Sequence, residues 1–301
     1  MKTAKEILKH NGKSFYLASL VLDRTQAERS ARLYAFCRYI DDLADEADNK
    51  DAARRHLLGV IFDLQNRHSD DAVVADFLAL STECDMPIAP AIDLVRGVLQ
   101  DLDHEVLIKD VADLHHYCYR VAGTVGLLMC GVLGVRDSRA FPFAVDLGIG
   151  MQLTNIARDV LEDARAGRRY IPQSIIGDIG PEQLINPDEA MQSRIADSLC
   201  WMLGEADRFY RSGEAGLVFL PRRARLAIRI AARVYHRIGV RLRKSGFSAW
   251  RGRTVVSLPE KIIVGMSATG SHLRSRKNPQ PPPLHAALLH RWLRQTTSIY
   301  S

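Results

Sequence analysis

Along most of the chain, apolar residues recur every three to four positions, the signature of amphipathic helices. Such runs, rich in Ala, Leu and Arg, cover about 26–47, 51–68, 71–84, 88–108, 110–134, 138–165, 188–217, 222–246 and 258–275. Strand-like alternation bounded by turn dipeptides is scarce. Breakers fall between the runs at Met86-Pro87, Arg136-Asp137, Gly167, Gly177 to Pro181, Pro221, Gly246 and Pro259. No linker long enough to divide domains precedes Asn278, so residues 1–277 read as a single all-α domain. A tail, 278–301, follows. Its Asn278–Pro283 stretch is Pro-rich and extended. Beyond it Leu284, Leu288 and Trp292 recur every four residues, with His290, Arg291 and Arg294 off that stripe. Two readings fit: a short amphipathic helix on a membrane surface, or a terminal helix packed on the body.

Composition adds limits. The 301 residues are 47% hydrophobic and 25% charged, which supports a folded core and argues against disorder. A net charge of +6 favours anionic partners, such as diphosphates or an acidic membrane surface. It does not demand nucleic acid, and no RNA-binding or zinc-finger signature occurs. The five cysteines (Cys37, Cys84, Cys118, Cys130 and Cys200) form no C-x-x-C pair, which argues against a disulfide framework and a zinc site. Free thiols in a reducing cytoplasm are the simple reading. The first residues, MKTAKEILKH, lack the apolar core of a signal peptide, and no run of about 18 apolar residues could span a bilayer.

Candidate chemistry begins at Tyr34-Ala-Phe-Cys-Arg38-Tyr-Ile-Asp41-Asp42-Leu-Ala-Asp45-Glu46. On a helix, Leu33, Cys37, Ile40 and Ala44 form the core-facing stripe, and Tyr34, Arg38, Asp41 and Asp45 a sector about 60° wide beside it. Asp41 and Asp45, one turn apart, can share a cation; Asp42 points further round. An acidic cluster on a helix is usually a solvated face, and this motif alone discriminates loosely. A second cluster strengthens the case: Gln152-Leu-Thr-Asn155-Ile-Ala-Arg158-Asp159-Val-Leu-Glu162-Asp163. Here Gln152, Asn155, Asp159 and Asp163 share a helical face about 80° wide, with Leu153, Ala157 and Val160 on another. Like charges at i, i+4 repel, so a cation should compensate. Mg²⁺ suits an all-oxygen set, with Mn²⁺ as the alternative ion, whereas no histidine or cysteine joins the stripe to favour zinc. Salt bridges from Arg158, Arg165, Arg168 and Arg169 would satisfy the same carboxylates without metal. Two such helices facing each other would bind a diphosphate through the metal and make it a better leaving group, next to apolar walls suited to an allylic cation.

The sequence resembles the squalene and phytoene synthase family across about residues 11 to 261. The matching pieces are Lys13-Ser14-Phe15, Tyr34-x-x-x-Arg38-x-x-Asp41-Asp42-x-x-Asp45, Tyr117-Cys-Tyr119-Arg-Val-Ala-Gly123-Thr-Val-Gly126, Gln152-Leu-Thr-Asn155-Ile-Ala-Arg158-Asp159-x-x-x-Asp163 and Gly167-Arg168-Arg169-Tyr170-Ile-Pro172. The resemblance implies an isoprenoid-synthase-type helical bundle around a central active-site cavity. It implies that Asp41, Asp45, Asn155 and Asp159 bind Mg²⁺, supported by Asp42 and Asp163. Lys13, Ser14, Arg38 and Arg158 would handle diphosphate oxygens, helped by Tyr235. Tyr34, Tyr117 and Gln152 would sit near the reacting allyl groups, with Arg38 also in the catalytic set. Arg253 and Lys261 match less firmly and read as surface salt-bridge partners. One departure is Asp103-His104-Glu105-Val106 after Gly97-Val-Leu-Gln-Asp101-Leu, where the family commonly has an Arg-Tyr pair.

The activity implied is a head-to-head condensation of two prenyl diphosphates through a cyclopropylcarbinyl diphosphate, in carotenoid biosynthesis. Small residues at Ser19 and Ala31, and the segments near 249–261, favour geranylgeranyl diphosphate and phytoene. Squalene or dehydrosqualene synthesis from farnesyl diphosphate is the alternative; a terpene cyclase and a non-catalytic family member are further ones. The expected location is the cytoplasm, with peripheral contact on the inner face of the membrane. Arg225, Arg229, Arg233, Arg237 and Arg241, every four residues beside Leu226, Ile230, Val234, Ile238 and Leu242, read as a solvated face of a core helix or a contact for anionic lipid. Gly123 and Gly126 imply close approach by a neighbouring helix or a substrate chain. Oligomeric state has no signature in the sequence.

Overall fold

The computed structural model of the protein describes residues 3–45, 47–103, 105–277, 283–287 and 289–290. The predicted helical runs are realised as α3 (Arg24–Asp45), α4 (Lys50–Asn66), α5 (Ala72–Cys84), α6 (Ala89–Gln100), α7 (Val111–Cys118), α8 (Thr124–Val132), α9 (Phe141–Arg158), α10 (Val160–Arg165), α12 (Glu189–Gly216), α13 (Arg222–Lys244) and α14 (Leu258–Lys277). Two short helices precede them, α1 (Ala4–Asn11) and α2 (Lys13–Ser19), and α11 (Gln173–Ile176) is a single turn. Polar caps explain where several begin. Asn49, Asp71, Asp110 and Asp188 each accept from a backbone N–H of the first turn of α4, α5, α7 and α12. Two-residue strands β1 (Val106–Leu107) and β2 (Arg168–Arg169) pair in parallel and tie the segment after α6 to the one after α10.

The run over 88–108 is helical only to Gln100, and its end passes into β1. Two further predicted runs are subdivided. The run over 110–134 passes through a π-helical turn at Tyr119–Gly123, the kind of local widening often found beside functional sites. The run over 138–165 breaks at Asp159, whose backbone (φ −102°, ψ 18°) leaves the helical region and ends α9. α9 is the central helix, packed against α8, α12, α13 and the π-turn. Leu153 and Ile156 of α9 join Leu199, Met202 and Phe209 of α12 in one apolar cluster. A second cluster joins α3 to α6, where Phe36 stacks on Phe77 at 4.0 Å. Close helix approach accounts for the glycines. A Cβ on Gly126 would lie 2.3 Å from the Ala144 carbonyl oxygen, and one on Gly148 2.3 Å from that of Ala122.

In the tail, the described residues dock on this body. Nε2 of His285 and of His290 lie 2.8 and 2.7 Å from the two carboxylate oxygens of buried Asp146 on α9. Leu284, the head of the predicted stripe, faces solvent; Leu288 and Trp292, and with them the amphipathic-segment reading, lie outside the described residues. The arginine stripe of α13 turns largely toward protein partners. Arg237 and Arg241 meet Glu260 at 2.5 and 3.3 Å, Arg233 meets Glu214 at 3.6 Å, and Arg225 donates to the Leu220 carbonyl at 3.1 Å. No helix among the described residues is long and apolar enough to cross a membrane.

Candidate active site

α9 lays one face along a cavity of about 380 Å³. Reading down that face, Phe143, Ala144, Leu147, Gly148 and Met151 are apolar or small, and Gln152 and Asn155 are polar. The strip is about 18 Å long at 1.5 Å per residue. Its polar end is completed by Tyr34, Arg38 and Asp41 of α3, and its sides by Phe15 of α2 and Tyr235 of α13. The far end is closed by Cys130, Leu133, Leu217, Leu220 and Ile228. An elongated apolar slot with acid and amide groups at one end suits a long hydrocarbon carrying a charged head.

The two acidic rows meet there. Asp41 is pushed up to about 7, chiefly by burial and then by Asp45. Burial, followed by Asp159, also raises Asp163 well above the usual carboxylate range. Among the described residues neither Asp41 nor Asp163 makes an ion pair. Their neighbours do: Arg168 reaches Asp45 at 2.9 Å, and Arg38 pairs with Asp42. Arg158 donates through Nε to Asp159 at 2.7 Å, and Arg253 lies 2.9 Å from the same carboxylate. The salt-bridge alternative therefore holds for Asp45 and Asp159 and fails for Asp41 and Asp163. Asn155 gives its amide to Gln152 at 3.2 Å, while its Oδ1 is buried with no partner. A buried orphan acceptor costs about 1–3 kcal/mol. Asn155 stands in the last turn of α9, at the negative end of the helix, and lines the same cavity as Asp41, where a hard cation would suit both oxygens. The donors are all oxygen, the type that a hard divalent ion takes, but among the described residues no three of these carboxylates lie within 4.8 Å of one another.

Cations ring the same end. Burial lowers the Lys261 ammonium pKa, and Lys13 and Arg158 lower it further by like-charge repulsion, so three cations from α14, α2 and α9 face one another. Arg253 adds a fourth through Asp159. Arg253 is the exposed salt-bridge partner that the sequence suggests, with Asp159 as its mate, whereas Lys261 is half-buried beside Lys13 and Arg158. Ser14 lies next to Lys13 on α2, half-buried. Three aromatic rings form one wall: Phe15 sits 6.1 Å from Tyr34 and 5.1 Å from Tyr235. Burial raises both phenols, Tyr34 up to about 12, so they are neutral hydroxyls.

Of the predicted residues, Tyr34, Arg38, Asp41, Gln152, Asn155 and Tyr235 line the cavity, and Lys13, Ser14, Asp42, Asp45, Tyr117, Arg158, Asp159 and Asp163 do not. Tyr117 is buried, stacked on Tyr170 with ring centroids 4.7 Å apart, and donates to Asp101 at 3.1 Å. Tyr170 donates to the other oxygen of Asp101 at 2.6 Å. Asp101, pushed up to about 6 chiefly by burial, is a residue that sequence reasoning passed over. It stands in the Gly97–Leu102 stretch, just before the segment that departs from the family's Arg-Tyr pair. Ser19 and Ala31 also stay off the cavity wall, Ser19 donating to the Tyr16 carbonyl and Ala31 packing inside α3's core face.

This architecture, helices around an apolar slot with acid at one end, is the isoprenoid-synthase helical fold. The chain belongs to the squalene/phytoene synthase family, whose model matches residues 8–260. It is 36% identical over 298 residues to 15-cis-phytoene synthase of Pantoea ananas, covering 94% of this chain and 95% of that one. It is 35% identical over 280 residues to 15-cis-phytoene synthase of Enterobacter agglomerans, covering 88% and 93%. Among solved structures, a ligand-bound dehydrosqualene synthase superposes with a TM-score of 0.80 at 30% identity, over 90% of this chain and 95% of that one. The chain is a prenyltransferase of this family.

Proposed function

We propose that this chain condenses two molecules of geranylgeranyl diphosphate head to head into 15-cis-phytoene, releasing two diphosphates, in carotenoid biosynthesis. The observation that carries the reading is the 380 Å³ slot whose apolar length ends at Asp41 and the orphan Oδ1 of Asn155. The phytoene synthases at 34–36% identity over most of the chain supply the product. Asp41, Asp45, Asn155 and Asp159 would hold Mg²⁺, Asp45 once Arg168 has let it go, with Asp42 and Asp163 in support. When bound, the ion draws charge onto the diphosphate and so lowers the barrier to its departure.

The chain's own groups do the rest. Lys13, Arg158, Arg253 and Lys261 receive the diphosphate oxygens, with Ser14, Arg38 and Tyr235 as donors. This requires Arg158 and Arg253 to release Asp159, freeing that carboxylate as the anion arrives. The C1–O bond of one substrate breaks with its electron pair going to diphosphate. The C2–C3 π pair of the second substrate attacks the resulting allylic cation, and loss of a proton closes a cyclopropylcarbinyl diphosphate. A second C–O cleavage and rearrangement give the 1–1′ linkage, and loss of another proton gives the central double bond. The faces of Phe15, Tyr34 and Tyr235 stabilise positive charge along the wall, and the apolar far end excludes water from it. Gln152 and Tyr34 orient the allyl groups, and Tyr117 acts from behind, through Asp101.

Farnesyl diphosphate as substrate is the second reading, favoured by the dehydrosqualene synthase likeness. Labelled C15 and C20 diphosphates, each with Mg²⁺ or EDTA and with or without NADPH, separate the two. Phytoene from the C20 substrate with Mg²⁺ alone is expected. A C30 product at the higher rate would overturn the assignment.

A further inference from the structure

Asp146 is fully buried on α9 and has no part in the proposed reaction. It stands between Phe143 and Leu147, both of which line the slot, but does not itself line it. Its carboxylate is met from two sides. Ser212 of α12 donates to Oδ2, and the tail brings Nε2 of His285 to 2.8 Å from Oδ2 and Nε2 of His290 to 2.7 Å from Oδ1. No lysine or arginine among the described residues pairs with Asp146; its ion-pair partners there are the two histidines. Among the described residues this is the one group of three or more His, Cys, Asp and Glu side chains whose ligand atoms all lie within 4.8 Å of one another.

A buried carboxylate is stable when it is paired or bound to a metal. Hydrogen bonds from two neutral imidazoles would satisfy its oxygens and leave its charge unanswered. A metal ion answers the charge as well, and the parts it needs are present. Two imidazole nitrogens and a carboxylate are a zinc set, with one position left for a water or the second carboxylate oxygen. Imidazole disfavours Mg²⁺ and Ca²⁺, which take oxygen, so this group and the acidic rows select different ions. With bonds of about 2.0–2.2 Å, ligand atoms around zinc stand about 3.3 Å apart, so each imidazole has to withdraw by only about half an ångström. Ser212 steadies the carboxylate from the far side, as outer-shell donors do at metal centres. Phe143 covers one side of the group, its ring edge-on to His285 with centroids 5.1 Å apart. His285 keeps 13% of its side chain exposed, which gives an ion its way in. The cysteines take no part. The histidines lie 139 and 144 residues along the chain from Asp146, so no spacing in the sequence marks the set.

We propose that Asp146, His285 and His290 form a zinc site that clamps the tail to α9 behind Phe143, at the wall of the slot. The test loads the full-length chain with Zn²⁺ in excess Mg²⁺, which fills the all-oxygen rows, removes loose ion by gel filtration and measures zinc by mass spectrometry. Wild type is compared with His285→Gln/His290→Gln. Glutamine can still donate an N–H to Asp146 but is a poor zinc ligand, and both positions lie outside helices α1 to α14. The expected result is about one zinc per wild-type chain and binding at least a hundredfold weaker in the double variant, measured by competition with a chromophoric chelator. Co²⁺ in place of zinc should give the visible bands of a tetrahedral nitrogen–oxygen site in wild type alone. Zinc should raise the thermal midpoint of wild type and leave that of the variant unchanged. A wild type that retains no zinc overturns the inference and leaves a clamp of hydrogen bonds or imidazolium charge. Equal zinc in both proteins also overturns it, since the ion then sits elsewhere.

Discussion

Replacing Asp101 with Asn tests the electrostatics of the buried acid cluster most directly. Asp101 accepts hydrogen bonds from Tyr170 and Tyr117, which favour its ionised form, yet burial outweighs them and raises it from 3.8 to about 6. At 1.36 kcal/mol per unit, that difference makes ionisation in place costlier than in the unfolded chain by about 3 kcal/mol. Asparagine is nearly isosteric with the protonated acid. Its Oδ1 can accept from Tyr170, and its amide can donate to the Tyr117 hydroxyl oxygen. The sign follows from proton counting. Between about pH 4 and pH 6 the unfolded chain has lost the Asp101 proton and the folded chain still holds it, so wild-type stability falls as pH rises through this window. Asp101→Asn has no proton to lose. The two proteins should therefore match near pH 4, and the variant should gain steadily to about 3 kcal/mol above pH 7. Urea unfolding in EDTA at half-unit steps from pH 4 to 8 measures the gap. A gap independent of pH, or a variant less stable at pH 7.5, would refute the reasoning.

Asp41→Ala and Asp159→Ala should each reduce turnover by more than 10³-fold with helicity unchanged by circular dichroism; normal rates in both would remove the metal assignment. Gly148→Ala should cost about 1–3 kcal/mol by overpacking, because its Cβ would lie 2.3 Å from the Ala122 carbonyl oxygen, and a shift in urea midpoint measures it. Ile228→Trp, at the closed end of the slot, should lower kcat/KM for geranylgeranyl diphosphate at least tenfold more than for farnesyl diphosphate. An unchanged ratio would show that this end does not read chain length.

The sequence carried the helices because their burial is local and periodic, and it carried both acidic rows because each lies on one helix face. Its errors fall where a property depends on partners distant in the chain. The run over 138–165 reads as one helix, and nothing periodic marks the break at Asp159. Arg158 and Asp159, adjacent in sequence, read as a phosphate ligand and a metal ligand. Their ion pair, reinforced by Arg253 from 94 residues away, shows that each is also the other's counterion before substrate binds. The same distance effect hid Asp101, whose meaning comes from Tyr117 and Tyr170, 16 and 69 residues on. It also governs α14, where period alone cannot tell which face is buried. Glu260 would normally mark the wet side, yet Arg237 and Arg241 of α13 claim it, while Lys261 stands beside the like charges of Lys13 and Arg158. Charged residues can point inward where the interior already holds charge, as it does at the site proposed to receive a metal and a diphosphate.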